Sequence, residues 1–90
     1  PVPATAQFTE LTRNNDNRRT VSLSWSKVND ATGYNIRFGT QKNKLYHNYL
    51  VYEDNKVSIN ILNADQTYYF AIDSFNEAGV TIGKEIKTIQ

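Results

Sequence analysis

The chain has 90 residues, of which 39% are hydrophobic and 12% aromatic, and its formal net charge is +1. This length suits one domain with a single core, and the composition excludes a disordered chain. The near-neutral charge lacks the basic excess of a nucleic-acid-binding domain, and the absence of cysteine excludes disulfides and thiolate metal sites.

The chain begins with a segment typical of a linker. It opens on "PVPAT" without an initiating Met or a signal peptide, and no stretch is apolar enough to span a bilayer. We therefore expect a single domain over residues 1–90 with a linker-like start over residues 1–4. We also expect this domain to be a module of a longer protein, without membrane insertion and without a nucleic-acid partner.

The segments that follow alternate between apolar and polar residues with a period of two, which is typical of half-buried β-strands. In chain order the predicted strands lie around Ala6–Leu11, in "TVSLSWS", "GYNIRFG", "KLYHNYLVY", "KVSIN" and "TYYFAIDSF", and around Thr81–Ile89, where Ile82 and Ile86 share one face. Turn-forming segments such as "NNDN", "NDATG" and "NEAG" separate the strands. Seven short strands without a helical pattern predict an all-β, seven-stranded antiparallel sandwich.

The aromatic run in the sixth predicted strand does not form a single surface. Because successive side chains of a strand point to opposite faces, Tyr68 and Phe70 are predicted to lie inside and Tyr69 outside. By the same alternation, Asp73 and Phe75 belong to the outer face with Tyr69.

Several of these segments together resemble a fibronectin type III domain, and the resemblance covers nearly the whole chain. The matching features are Trp25 in "LSWS", Tyr34 in "GYNIRF", Leu62 and Tyr68 in "LNADQTY", and the turn "FNEAG". The resemblance implies that Trp25 packs between two sheets near Tyr34, Leu62 and Tyr68. It also implies a tyrosine corner, in which the Tyr68 hydroxyl is hydrogen-bonded to upstream backbone.

The turn before Tyr68 departs from the family pattern. The usual Pro-Gly is replaced by Ala64-Asp65, so the turn is less preset by its own residues. The loop after the sixth strand contains no Arg-Gly-Asp, so animal-type integrin binding has no support.

A narrower resemblance concerns "GYNIRFGTQKNKLYHNYLVY" and "YYFAIDSFNEAGVTIG". These segments are similar to fibronectin domains appended to secreted glycoside hydrolases of gut bacteria, in particular those of family forty-three. This resemblance implies an extracellular or periplasmic accessory module whose catalytic partner lies elsewhere in the parent protein.

Residues that suggest catalysis or metal binding have simpler interpretations. His47 is the only His and has no supporting nucleophile motif, so we interpret it as an exposed strand residue. Asp73 and Glu77 are interpreted as solvated charges on an outer face and a loop, rather than as a glycosidase pair. The segment "NNDN" lacks the Gly and the distal Glu of a calcium loop, and the cluster of Arg13, Arg18 and Arg19 is interpreted as solvated. We assign no catalytic, cofactor-binding or metal-binding residue.

Exposed aromatic residues are the candidate binding site. The predicted binding residues, all on the outer faces of predicted strands, are Tyr46, Tyr52, Tyr69 and Phe75, whereas Tyr49 is predicted to face the other way. They could pair across strands, contact a neighbouring domain of the same chain, or stack on a polysaccharide. The sequence therefore favours a non-catalytic spacer or docking domain, with a weak carbohydrate-binding module as the alternative.

Overall fold

The strands of the computed structural model, which describes residues 1–60, 63 and 65–89, follow the alternating segments of the sequence. The described residues form eight strands: β1 (Phe8–Arg13), β2 (Val21–Trp25), β3 (Gly33–Gly39), β4 (His47–Tyr52), β5 (Lys56–Ile59), β6 (Tyr68–Asn76), β7 (Gly79–Thr81) and β8 (Lys87–Ile89). They make a three-stranded sheet in the order β1-β2-β5 and a five-stranded sheet in the order β4-β3-β6-β7, in which β8 also pairs with β6. All pairings are antiparallel, so the predicted class of fold is confirmed.

The predicted count of seven strands is wrong by one. The segment expected to form a single last strand is divided into β7 and β8, which pair with opposite ends of β6. Between them, the backbone N–H of Gly83 donates to the Asp73 carboxylate and the Gly83 carbonyl accepts from Arg37, so side chains replace the backbone ladder there. Ile82 and Ile86, which were expected to share one face of a single strand, lie instead between β7 and β8, where Ile82 is exposed and Ile86 is half-buried.

The core lies between the two sheets and is built from the inward residues of each strand. Trp25 is buried and its ring meets Tyr34 edge-on, with the ring centroids 5.4 Å apart. Tyr68 and Phe70 are buried and Tyr69 is only partly covered, which confirms the predicted faces of β6. Leu62, the other residue expected near Trp25, lies outside the described residues.

Two tyrosine hydroxyls, those of Tyr68 and Tyr34, anchor loops by accepting hydrogen bonds from backbone N–H groups. The Tyr68 hydroxyl accepts from the N–H of Asn63 at 2.8 Å, which confirms the predicted tyrosine corner. The Tyr34 hydroxyl accepts in the same way from the N–H of Val28 at 2.9 Å. A buried N–H without a partner is costly, so each hydroxyl stabilises the loop that it contacts.

Arg13 is not solvated as predicted, because it ends β1 on the buried side. Its guanidinium donates to the carbonyl oxygens of Asn63 and Gln66, at 2.7 and 2.8 Å, and lies over the Tyr68 ring. These two carbonyls flank the turn in which Ala64-Asp65 replaces the Pro-Gly of the family pattern. Ala64 itself lies outside the described residues, and the Arg13 contacts anchor the described residues Asn63 and Gln66 on either side of it.

The first residues of the chain run beside the β6–β7 hairpin. The Ser74 hydroxyl donates to the carbonyl oxygen of Ala4 at 2.6 Å, and the Thr81 hydroxyl donates to that of Pro3. The Asn76 amide donates to the carbonyl oxygen of Pro1 at 2.9 Å. The segment predicted as a linker-like start is therefore hydrogen-bonded to the sandwich. Within the described residues, no helix is long and apolar enough to cross a membrane.

Candidate interaction surface

The outer face of the five-stranded sheet carries two aromatic rings that cover a glycine. Gly33 of β3 lies between Tyr52 of β4 and Phe75 of β6 in the strand register. The two rings meet edge-on, with centroids 5.7 Å apart and an interplanar angle of 82°. A Cβ atom at Gly33 would lie 2.6 Å from Cζ of Phe75, so only a glycine leaves room for this contact. The rings therefore cover backbone that would otherwise be open to water.

The same row continues onto β7, where Val80 lies opposite Phe75. Tyr52 is 58% exposed and Val80 55% exposed. Leu50, two residues before Tyr52 on the same face of β4, is also 55% exposed. We call the set Leu50, Tyr52, Phe75 and Val80 the outer apolar row. It crosses the whole width of the sheet and is open to solvent, and contiguous exposed apolar surface of this kind usually marks an interaction site.

The four predicted binding residues do not form one group. Tyr52 and Phe75 are in contact, whereas Tyr69 lies six positions away along β6, or about 20 Å at the rise of a strand. Tyr69 pairs with Gly39 at the far end of β3, and Tyr46 precedes β4 and is 77% exposed. Tyr49 lies opposite the buried Ile36 and so belongs to the other face of β4, as the alternation predicted, and its side chain is still 39% exposed there.

A polar band separates the two ends of the outer face. Arg37 donates through Nε to both carboxylate oxygens of Asp73, at 3.0 and 3.2 Å, and through a terminal nitrogen to the Gly83 carbonyl. The Asp73 carboxylate also accepts from the N–H of Gly83 at 2.9 Å. Asp73 is therefore buried at 3% exposure, not solvated as predicted, because Arg37 and the adjacent loop cover it.

Asp73 and Glu77, the two carboxylates considered as a pair, lie in different surroundings: Asp73 is buried and paired with Arg37. Glu77 is exposed in the β6–β7 turn, beyond the end of β6. His47 stacks on Phe38, with ring centroids 5.1 Å apart, which accounts for its position without a catalytic role. In residues 1–60, 63 and 65–89, no group of three His, Cys, Asp or Glu side chains could hold a metal ion.

Two features of the surface were missed by sequence reasoning. Leu50 and Val80 were not among the predicted binding residues, although period-two alternation places Leu50 with Tyr52. The contact of Tyr52 with Phe75 depends on the register of both strands against Gly33, and no local pattern encodes that register.

Comparison with known proteins agrees with this architecture. The sequence profile described as "Fibronectin type III domain" matches residues 6–89. No curated protein sequence matches the chain.

Three solved structures illustrate the similarity of fold. An Fn3-like protein from Clostridium thermocellum superposes with a TM-score of 0.84 at 15% identity, over 100% of this chain and 94% of that one. The fn3 domain of human contactin 1 superposes with a TM-score of 0.75 at 19% identity, over 99% of this chain and 78% of that one. The FN1-FN3 domains of chicken CNTN1 give 0.76 at 21% identity, over 97% of this chain and 32% of that one.

At these identities the solved structures show a shared fold and nothing finer, whereas the profile covers nearly every residue of the chain. The match includes the segments of Trp25, Tyr34 and Tyr68, whose contacts were described above. The chain belongs to the fibronectin type III domain family.

Proposed function

We propose that the chain is a non-catalytic accessory module that packs its outer apolar row against a neighbouring domain of the same protein. Fibronectin type III domains are a common module and are generally non-catalytic. The resemblance to domains appended to family forty-three glycoside hydrolases supports a secreted bacterial carbohydrate-active parent, and with it an extracellular or periplasmic location. The observation that carries the docking role is the exposure of Leu50, Tyr52 and Val80 on one face of the five-stranded sheet, with Phe75 between Tyr52 and Val80.

The composition of the row suits a protein partner. Tyr52, Leu50 and Val80 present aromatic and aliphatic surface, and the adjacent Asn35 and Asn48 side chains are hydrogen-bonded to each other at 3.0 Å. An apolar centre beside polar groups is the usual anatomy of a protein interface. The row is small, which matches a contact between linked domains better than an association of separate chains.

The path of the first residues adds a second argument. Asn76 holds the carbonyl of Pro1 beside the β6–β7 turn, and Val2 is half-exposed next to Gly79. Gly79 precedes Val80 of the row, and its φ of 147° keeps the backbone in a conformation that favours glycine. A domain joined to Pro1 by a short connection therefore begins at the end of the sheet that carries the row, where a high effective concentration favours docking.

Carbohydrate binding is the alternative function. Its support is the exposed ring of Tyr52 beside the amides of Asn35 and Asn48, which could orient a sugar hydroxyl. The perpendicular contact of Tyr52 with Phe75 favours docking instead, because the two rings do not present parallel faces on which successive sugar units could stack.

The test compares the isolated chain with a protein in which it remains joined to its neighbouring domain. In the joined protein we expect Tyr52→Ser with Val80→Ser to lower the melting temperature of the neighbouring domain by about 2 °C or more, because the interface loses apolar area. Tyr46→Ser, which changes an exposed aromatic residue outside the row, is the matched control and should leave that temperature unchanged.

The isolated chain distinguishes the two functions. We expect calorimetry to show no binding of xylan or arabinan by the wild type. Glycan binding that is lost in Tyr52→Ser would replace docking with carbohydrate binding as the function of the row.

A further inference from the structure

We propose that two copies of this chain associate reversibly by antiparallel pairing of their β4 strands, which joins two five-stranded sheets into one. This association uses the free edge of β4 rather than the outer face of the sheet. It does not rest on the proposed docking function, since it requires only the isolated chain.

The edge of β4 is open and regular. Among the described residues β4 pairs with β3 alone, through six consecutive residue pairs without a register shift. In such an edge strand, every second residue directs its backbone N–H and C=O groups away from the sheet, where they can form hydrogen bonds with another strand. The opposing sheet has only three strands, and five of the six residues of β4 are exposed, with Val51 as the exception.

The composition of β4 does nothing to prevent pairing. From Tyr46 to Tyr52 the sequence is "YHNYLVY", without Lys, Arg, Asp, Glu or Pro. Uncharged segments of about this length with high β-propensity and no proline are those that pair most readily with other strands.

The other edges of the two sheets are protected in recognised ways. Strand β1 has a register shift between Phe8 and Glu10 and carries charged residues. Strand β5 has four residues and begins with Lys56, and β7 and β8 have three residues each. Short, charged or irregular edges resist pairing. Of the described strand edges, β4 alone has none of these features.

The residues that flank β4 favour a second copy in the antiparallel direction. Lys42 and Lys44 precede the strand, and Glu53 and Asp54 follow it, all with exposed side chains. Antiparallel pairing places the basic end of each strand beside the acidic end of the other, whereas parallel pairing places like charges together. The strand thus complements itself in one direction only.

The charged residues that flank β4 also favour one register between the two β4 strands. A two-fold axis perpendicular to the sheets keeps outer face with outer face, so residues opposite each other must share a face. Pairing Tyr49 with Tyr49 of the other copy satisfies this condition, and it brings Tyr46 opposite Tyr52. It also brings Lys44 of each copy to the level of Asp54 of the other. A pairing of this size buries little area, so the association is weak and depends on concentration.

The first experiment is sedimentation equilibrium of the isolated chain up to about 1 mM, a range that reveals a weak dimer. We expect the wild type to form dimers and Leu50→Lys to shift the equilibrium by at least about tenfold towards monomer, because it places a charge on each strand of the pair. The control is Val80→Lys, which changes an equally exposed residue of the outer apolar row away from β4 and should dimerise like the wild type.

The second experiment tests the direction of pairing through charge reversal. We expect Lys44→Glu to weaken dimerisation and the double variant Lys44→Glu, Asp54→Lys to restore it. Both positions are exposed, and circular dichroism checks that each variant remains folded. A wild type that stays monomeric up to about 1 mM would overturn the proposal. So would an equal effect of Val80→Lys and Leu50→Lys, or a double variant no better than the single one.

Discussion

The hydroxyl of Tyr68 shows how one atom of a core residue can determine the structure of a turn. Its ring belongs to the core, while its oxygen accepts the N–H of Asn63 five positions upstream. Arg13 lies over the same ring and binds the Asn63 carbonyl, so Asn63 is held through both of its backbone groups. Asn63, which directly precedes the position of the family's Pro-Gly, is therefore anchored by contacts from both β1 and β6.

Tyr68→Phe retains the ring and removes only this acceptor. We expect the free energy of unfolding to fall by about 0.5–1.5 kcal/mol, the typical net value of one hydrogen bond. Chemical denaturation measures this change, and hydrogen exchange of the Asn63 amide should become faster. Tyr69→Phe, on the outer face of the same strand, is the control and should change stability by less than about 0.5 kcal/mol. Equal effects of the two variants would contradict the assigned role of the Tyr68 hydroxyl.

Side chains can also replace the backbone hydrogen bonds that normally join neighbouring strands. Where β7 ends and β8 has not begun, Gly83 is bound to Asp73 through its N–H and to Arg37 through its carbonyl oxygen. Arg37 and Asp73 lie on the neighbouring strands β3 and β6 and are themselves paired. The sheet is therefore continuous at this level, although its hydrogen bonds pass through side chains.

Asp73→Ala removes the centre of this arrangement. It leaves the Gly83 N–H and the Arg37 guanidinium without their acceptor, so we expect a loss of about 1–3 kcal/mol in the free energy of unfolding. Urea denaturation followed by Trp25 fluorescence provides the measurement. Glu77→Ala removes the same charge from an exposed turn and should alter stability by less than about 0.5 kcal/mol. The role of Asp73 is disproved by similar values for the two variants.

Features that depend on neighbouring residues in the chain could be predicted from the sequence, whereas those that depend on contacts between distant residues could not. The faces of β2, β3 and β6 follow from alternation between adjacent residues, and these predictions are confirmed. The division of the last strand and the burial of Arg13 were predicted wrongly. Arg13 is held by partners 50 and 53 positions away, and Gly83 is bound to Arg37, 46 positions away, as well as to Asp73 on the neighbouring strand, so no local pattern encodes these contacts.

The candidate surface shows the same limit. Exposed aromatic residues were recognisable, because alternation places Tyr52, Tyr69 and Phe75 on outer faces. Their grouping was not recognisable, because it is set by the alignment of Gly33 with both Tyr52 and Phe75. A glycine that opens a strand has several explanations in sequence, and the register is needed to choose between them.

Over the whole molecule, the first four residues contribute to the stability of the sandwich. Their carbonyl oxygens accept from Ser74, Thr81 and Asn76, and the Ser74 side chain is fully buried. We expect deletion of residues 1–4 to lower the free energy of unfolding by about 1–3 kcal/mol, because these donors lose their partners.

The origin of that loss is tested by repeating the deletion in Ser74→Ala. If the hydrogen bond to Ala4 matters, the deletion should cost less in this background than in the wild type, as measured by a double-mutant cycle in urea. Additive effects would show that the first residues act on stability without Ser74.

The two ends of the chain leave the sandwich in opposite directions along β6. The Pro1 carbonyl oxygen is hydrogen-bonded to Asn76 at the end of that strand, whereas Ile89 pairs with Tyr68 at its start. Tension applied through the two ends therefore acts along the strands, on a molecule 41 Å long. Antiparallel hydrogen bonds lie perpendicular to the strands, so this force loads those of β8 together in shear instead of opening them one after another. At one end the pull would load the three residue pairs of β8 with β6, and at the other the side-chain hydrogen bonds that hold the first four residues.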